Sequence, residues 1–183
     1  MIWIGTSGFQ YPEWKGKFYP EKISAAKMLP FYATKFSTTE INYTFRRIPS
    51  EKTLLNWDAQ TPVDFRFTLK APQKITHFQK LVGSEDTLHY FWAIARTLGE
   101  KLGPVLFQLP PFLKKDLSLL EGFLAIVPQG MKASSRSLSR KTEIAFLVKI
   151  ISTDFPTSVS TQVFCSSTPY RRGLGRCGSG SLP

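Results

Sequence analysis

Along residues 1–130 the apolar positions switch repeatedly between a period of two and a helical period. Four short segments, 2–8, 38–45, 65–72 and 104–110, are rich in apolar or β-branched residues and predict strands. Between them lie stretches with helical spacing. Ala25, Met28, Leu29, Tyr32, Ala33 and Phe36 fall on one helical face behind a candidate N-cap at Ser24. Pro30 interrupts that face, and because proline lacks an N–H and clashes with the preceding turn, a late start or a kink is expected. Ser50-Glu51-Lys52-Thr53 opens a second helix carrying Leu54, Leu55 and Trp57. A third runs from residue 84 to about 102. A fourth runs from 116 to 127, with Asp116 as its cap and Leu117, Leu120, Phe123, Leu124 and Val127 facing inward.

The strand starts at 2, 38, 65 and 104 are spaced by 36, 27 and 39 residues. This is the spacing of βα units, because a strand needs a helical crossover to reach a parallel neighbour. Repeated units give either an open doubly wound sheet or a (β/α)8 barrel. The strand faces favour the barrel. In Phe65-Arg66-Phe67-Thr68-Leu69-Lys70 the apolar residues share one face, and Arg66, Thr68 and Lys70 the other. Thr38, Glu40, Asn42 and Thr44 alternate with Ile41, Tyr43 and Phe45, and Gln108 alternates with Val105, Phe107 and Leu109. A strand covered by helices on both faces is apolar nearly throughout. A polar face fits a barrel lumen, whose C-terminal mouth carries the active sites of such folds. Gly5-Thr6-Ser7-Gly8 is too short a signal for a dinucleotide fold. The expected fold class is therefore α/β, of the TIM-type (β/α)8 barrel, with about the first four βα units present.

On neighbouring strands, Glu40, Asn42, Lys70 and Gln108 point into that lumen. Glu40 and Lys70 are the candidate catalytic pair, since a low-dielectric pocket tunes both groups for acid and base work. Asn42 and Gln108 are candidate ligand-binding residues for a small polar, sugar-like or phosphorylated molecule. Thr6 and Ser7, ending the first strand, are candidate phosphate contacts. The competing reading is a buried Glu40–Lys70 ion pair that only fills the lumen. His77 fits a solvated loop histidine better than a proton shuttle. With His89 the only other histidine, no metal site is expected, and no cofactor is assigned.

Composition changes the picture after residue 130. The chain has 183 residues and a net charge of +11. Of this, +5 belongs to residues 1–130 and +6 to residues 131–183, which also hold 11 of the 17 serines. All four Trp lie in the first part. The chain is thus expected to divide into 1–132, half a barrel, and 133–183, an irregular, basic, Ser-rich tail. Nucleic acid is the competing partner for this tail, but its basic residues are scattered and carry no interleaved aromatics. An apolar content of 42%, with 15 Phe, excludes a disordered or collagen-like chain. No run approaches the roughly 18 apolar residues of a membrane span, so no membrane partner is expected. The N-terminal residues lack the features of a signal peptide, and a cytoplasmic location is expected. Cys165 and Cys177, 12 residues apart, match neither a disulfide scaffold nor a zinc pattern.

Several blocks carry a resemblance. Ile4-Gly5-Thr6-Ser7-Gly8-Phe9 with Tyr11-Pro12, Trp14-Lys15-Gly16 and Phe18-Tyr19-Pro20 resembles the opening of the YecE-like family, or domain of unknown function 72. Glu40-Ile41-Asn42, Phe65-Arg66-Phe67, Lys70-Ala71-Pro72, Ile75-Thr76-His77 and Leu102-Gly103-Pro104 through Pro110-Pro111 continue it in order. The resemblance covers about residues 2–131. It implies a TIM barrel and names no activity. The family pattern would next place a Glu-x-Arg pair and a Ser-Trp on and after a fifth strand. This sequence reads Ala133-Ser134-Ser135-Arg136-Ser137-Leu138-Ser139-Arg140 instead. A reading-frame shift near Ala133, leaving a truncated and inactive half-barrel that self-associates through open strand edges, is the resulting expectation, with a genuinely different C-terminal half as the alternative.

Overall fold

The computed structural model describes residues 2–131, 133–137 and 161–165. The alternation of strand and helix is present: β1 (Ile2–Ser7), α1 (Ala25–Ala33), β2 (Thr38–Ile41), α2 (Tyr43–Arg46), α3 (Glu51–Ala59), β3 (Arg66–Lys70), α4 (Glu85–Ala95), β4 (Leu102–Leu109) and α5 (Leu117–Ala125), followed by β5 (Ala133–Ser137) and β6 (Thr161–Cys165). The strands form one sheet in the order β5-β4-β3-β2-β1-β6, and every pairing is parallel. The fold is α/β with a parallel sheet.

Local chemistry sets the helix starts. Ser50 accepts from the Thr53 N–H at 3.3 Å and the Asp116 Oδ1 accepts from Leu119 at 2.9 Å, so each satisfies a donor that the first turn leaves free. Ser24 makes no such bond, yet α1 begins directly after it and keeps Pro30 inside, so the late start is not taken. The third helix divides into α4 and a tighter turn over Arg96–Lys101.

One face of the sheet carries the core. Ile41, Phe67, Leu69, Val105 and Phe107 are buried against Tyr32, Leu54, Leu88, Phe91 and Phe123 of the helices. Each such side chain contributes roughly 1.5–3 kcal/mol when fully buried. Phe107 meets Phe123 edge-on at 5.1 Å, and Trp57 stacks on Phe67 at 6.1 Å, which ties α5 to β4 and α3 to β3. Tyr32 pins α1 across two strands: its hydroxyl accepts from the Thr6 N–H at 2.8 Å and donates to the Thr38 carbonyl at 3.0 Å. Burial pushes this phenol's pKa up, with the Thr6 hydrogen bonds pulling the other way.

Two expectations are corrected. The alternation read through residue 45 stops at Ile41, where the chain turns into α2. The Thr44 hydroxyl turns back to donate to the carbonyls of Ile41 at 2.9 Å and Lys70 at 2.6 Å, and Thr44 is buried. The irregular tail is amended at β5 and β6, which pair with β4 and β1. Ladder bonds use main-chain groups, so Ala-Ser-Ser-Arg-Ser joins a sheet without an apolar face to announce it. The remainder of 133–183, Cys177 included, lies outside the described residues.

Candidate functional site

Sheet register decides which side chains meet. Ser7 is level with Glu40, and Glu40 with Thr68. Lys70, two residues beyond Thr68, shares their face and is level with Leu106 on β4; Gln108 lies two residues further along β4 on the same face. These positions gather at the C-terminal ends of β1–β4, on the side away from the helices.

The tightest part is a chain of three polar groups. The Ser7 hydroxyl donates to Glu40 Oε1 at 2.8 Å and accepts from Asn42 Nδ2 at 2.8 Å. Glu40 is 4% exposed, so its carboxylate is held by protein partners rather than by bulk water. The turn after β1 supports it: the Gly8 N–H bonds the Glu40 carbonyl at 2.8 Å, and the Tyr11 hydroxyl donates to the Ser7 carbonyl. Gly8 has φ 88°, and a Cβ there would lie 2.7 Å from the Tyr11 oxygen, so both backbone and space require glycine.

A second, cationic part adjoins the first. Lys70 Nζ lies 4.8 Å over the Phe45 ring, and that ring meets the His77 imidazole edge-on at 4.9 Å. His77 Nδ1 is 2.9 Å from the Thr76 hydroxyl. Burial, and then the Lys70 charge, lower the His77 pKa from its ordinary 6.5. A neutral imidazole at pH 7 presents one acceptor and one donor nitrogen beside a cation.

Of the six residues read from the sequence, the structure joins Ser7, Glu40 and Asn42 directly and puts Lys70 and Gln108 on their face. Thr6 is elsewhere. It lies on the helix side, where its hydroxyl donates to the Gly8 carbonyl at 2.6 Å and meets Tyr32 at 2.9 Å. His77, read as a solvated loop residue, is half-buried beside Lys70. Its only sequence signal is its place in the Ile75-Thr76-His77 block. Among the described residues no three His, Cys, Asp or Glu side chains converge to hold a metal ion. A cleft of about 530 Å³ opens at the other end of the sheet, beside Phe36, Ser37, Asp64 and Phe65.

The lowered His77 pKa carries a sign. Above 6.5 both folded and unfolded chains hold it neutral. As pH falls below 6.5 the unfolded chain takes up the proton first, so stability falls until the folded pKa is passed. Urea midpoints at pH 7.5 and 5.5 are expected to separate more in the parent than in His77→Gln. Equal separation would show that burial of His77 does not couple to folding.

Comparison with known proteins places these observations. A family model described as "Protein of unknown function DUF72" matches residues 3–146. The UPF0759 protein YecE of Escherichia coli is 31% identical over 129 residues, covering 70% of this chain and 45% of YecE. The UPF0759 protein YunF of Bacillus subtilis is 30% identical over 118 residues, 61% of this chain and 41% of its own length. The chain therefore spans less than half the length of these curated relatives. A crystal structure of a DUF72 family protein from Thermotoga maritima superposes with a TM-score of 0.65 at 30% identity, covering 78% of this chain and 58% of that one. One from Enterococcus faecalis gives 0.61 at 19% identity, a likeness of fold. Among the described residues no helix is long and apolar enough to cross a membrane.

Proposed function

The chain belongs to the DUF72 family of proteins of unknown function, and from that premise we propose that residues 2–132 form the first half of a (β/α)8 barrel whose site binds a small polar ligand at the C-terminal ends of β1–β4. Glu40 and Lys70 are its acid–base pair, and Ser7, Asn42 and Gln108 its polar contacts; Thr6 holds the turn behind them. The observation that carries this is the Ser7–Glu40–Asn42 chain of 2.8 Å contacts, with Lys70 on the same face, at one end of a parallel sheet. Strand order supports the barrel. β1 to β4 lie side by side in chain order and pair in parallel throughout, as successive strands of a barrel do.

Residues 133–183 are proposed as a separate basic segment entered by a frame shift near Ala133. Turnover is not expected from this chain, because the Glu-x-Arg and Ser-Trp that the family resemblance implies do not follow Lys132. Binding is expected, together with self-association through the outer strands β5 and β6. Isothermal titration of the full chain with ribose 5-phosphate, glucose 6-phosphate and inorganic phosphate tests the site. Lys70→Ala is expected to weaken the best binder at least tenfold, about 1.4 kcal/mol, with little change in melting temperature. A lower melting temperature with unchanged affinity would make Lys70 a structural cation instead.

A further inference from the structure

The loops that leave β2, β3 and β4 share a composition that this site does not use. Residues 42–50, 71–84 and 110–115 hold Arg46, Arg47, Lys74, Lys80, Lys114 and Lys115, and not one Asp or Glu. All six cations are exposed. The segments entering β3 and β4 from the opposite end, 60–65 and 96–101, balance Arg96 and Lys101 against Asp64 and Glu100. The excess of positive charge thus belongs to these three segments at the site end, with Glu51, Glu85, Asp86 and Asp116 following at the helix starts.

The same three segments each expose one large ring, the first of them at the start of α2. Tyr43 is 51% exposed, Phe78 71% and Phe112 68%. Scattered surface aromatics need no explanation, but these three leave neighbouring strands at the same end of the sheet, among cations, where a ring can stack on a ligand. Lys80 Nζ lies 5.7 Å from the Phe112 ring centre, which brings the loops after β3 and β4 together. The loop after β3 is also strained: Lys80 and Leu81 have φ of 49° and 74°, the left-handed region that side chains disfavour. Such strain collects at functional sites. Inside the rim stand Lys70 and His77.

We infer that the rim and the site together take a nucleotide, with its phosphate among the cations near Lys70 and its base stacked on Phe112 or Phe78. Every base offers a π-face to an aromatic or guanidinium plane, and loops lacking acidic groups raise the local concentration of phosphate. The inference rests on the ligand-binding reading above and names the class of ligand. A nucleotide unit arrives either free or within a single strand, and the chemistry recognised is the same.

The test is a fluorescence titration of the full chain with adenosine 5′-monophosphate, adenosine, ribose 5-phosphate and a ten-residue oligothymidylate. Adenosine monophosphate is expected to bind at least tenfold more tightly than adenosine or ribose 5-phosphate. Phe112→Ala is expected to lose about tenfold for the nucleotide and nothing for ribose 5-phosphate, with Phe78→Ala as a second exposed variant. Tighter binding of the oligonucleotide with a steep salt dependence assigns the strand as source; tighter binding of the monophosphate assigns the free nucleotide. If ribose 5-phosphate binds as well as the nucleotide and neither Phe variant matters, the nucleotide inference is overturned and the small-ligand site stands. If none of the four binds, the inference is overturned, and glucose 6-phosphate and inorganic phosphate then decide whether the site reading falls with it.

Discussion

Gly5→Ala is expected to destabilise the chain by about 3 kcal/mol or more. Gly5 is level with Thr38 on β2, and a Cβ built there overlaps the Thr38 carbonyl oxygen and lies 2.7 Å from its carbon and 2.9 Å from Thr38 Cγ2. The first two obstacles are backbone, and that backbone is held. The Thr38 carbonyl accepts from Tyr32, and the Thr38 hydroxyl donates to the Arg66 carbonyl at 2.8 Å. Relief therefore means breaking the ladder from β1 through β3. Overpacking of a deformable core costs about 1–3 kcal/mol, and an immovable neighbour brings the cost to about 3 kcal/mol or more, against a total stability of roughly 5–15 kcal/mol for a domain. Gly122→Ala is the control. It lies in α5 with nothing within 4 Å of an added Cβ, and the better helix propensity of alanine is worth up to about 1 kcal/mol. Urea denaturation and soluble yield of the two variants measure the contrast. A Gly5→Ala midpoint equal to that of the parent would contradict the close approach of β1 and β2.

What could be read from sequence follows from where each signal resides. Phe67 and Leu69 alternate with Arg66, Thr68 and Lys70, and that local pattern alone assigns two faces; both apolar residues are buried against the helices. The shared face of Glu40 and Lys70 is legible in the same way, since both stand on the polar parity of adjacent parallel strands. Asn42 and Thr44 continue this parity in the sequence, yet the chain leaves the sheet at Ile41. The decisive partner of Thr44 is the Lys70 carbonyl, 26 residues away, and no local pattern contains it. Thr6 fails for a similar reason. Its parity places it opposite Ser7, but its hydroxyl function depends on Tyr32, another contact 26 residues distant. His77 acquires its character from burial and the charge on Lys70, neither of which a loop sequence displays. At β5 there is no pattern to read, because main-chain pairing asks nothing of a run of small polar side chains. Sequence thus reports the periodic elements and the parity of their side chains. Long-range hydrogen bonds then decide which polar residue is a site and which is a strut.

Glu40 is where these two roles are expected to separate experimentally. Its carboxylate accepts the Ser7 hydroxyl, whose oxygen in turn accepts from Asn42. Glu40→Gln keeps an acceptor oxygen for Ser7 and nearly the same volume, so stability is expected to stay within about 1 kcal/mol of the parent. Glu40→Ala removes the acceptor and leaves a void beside a half-buried hydroxyl. An unsatisfied polar group costs about 1–3 kcal/mol and the void adds to it, for a total of about 2–4 kcal/mol. Function is expected to follow a different order. Both variants remove the ionisable carboxyl group, so both should weaken the binding of a cationic or hydrogen-bond-donating ligand group tenfold or more. In a chain that turns over, loss of a general acid–base costs about 10²–10⁴ in rate. Denaturation midpoints and ligand titrations of the same two preparations read both orders at once. Similar affinity losses with stability lost only in the alanine variant would assign Glu40 to the ligand. Affinity untouched in both would leave the carboxylate holding β1 against β2 and nothing more.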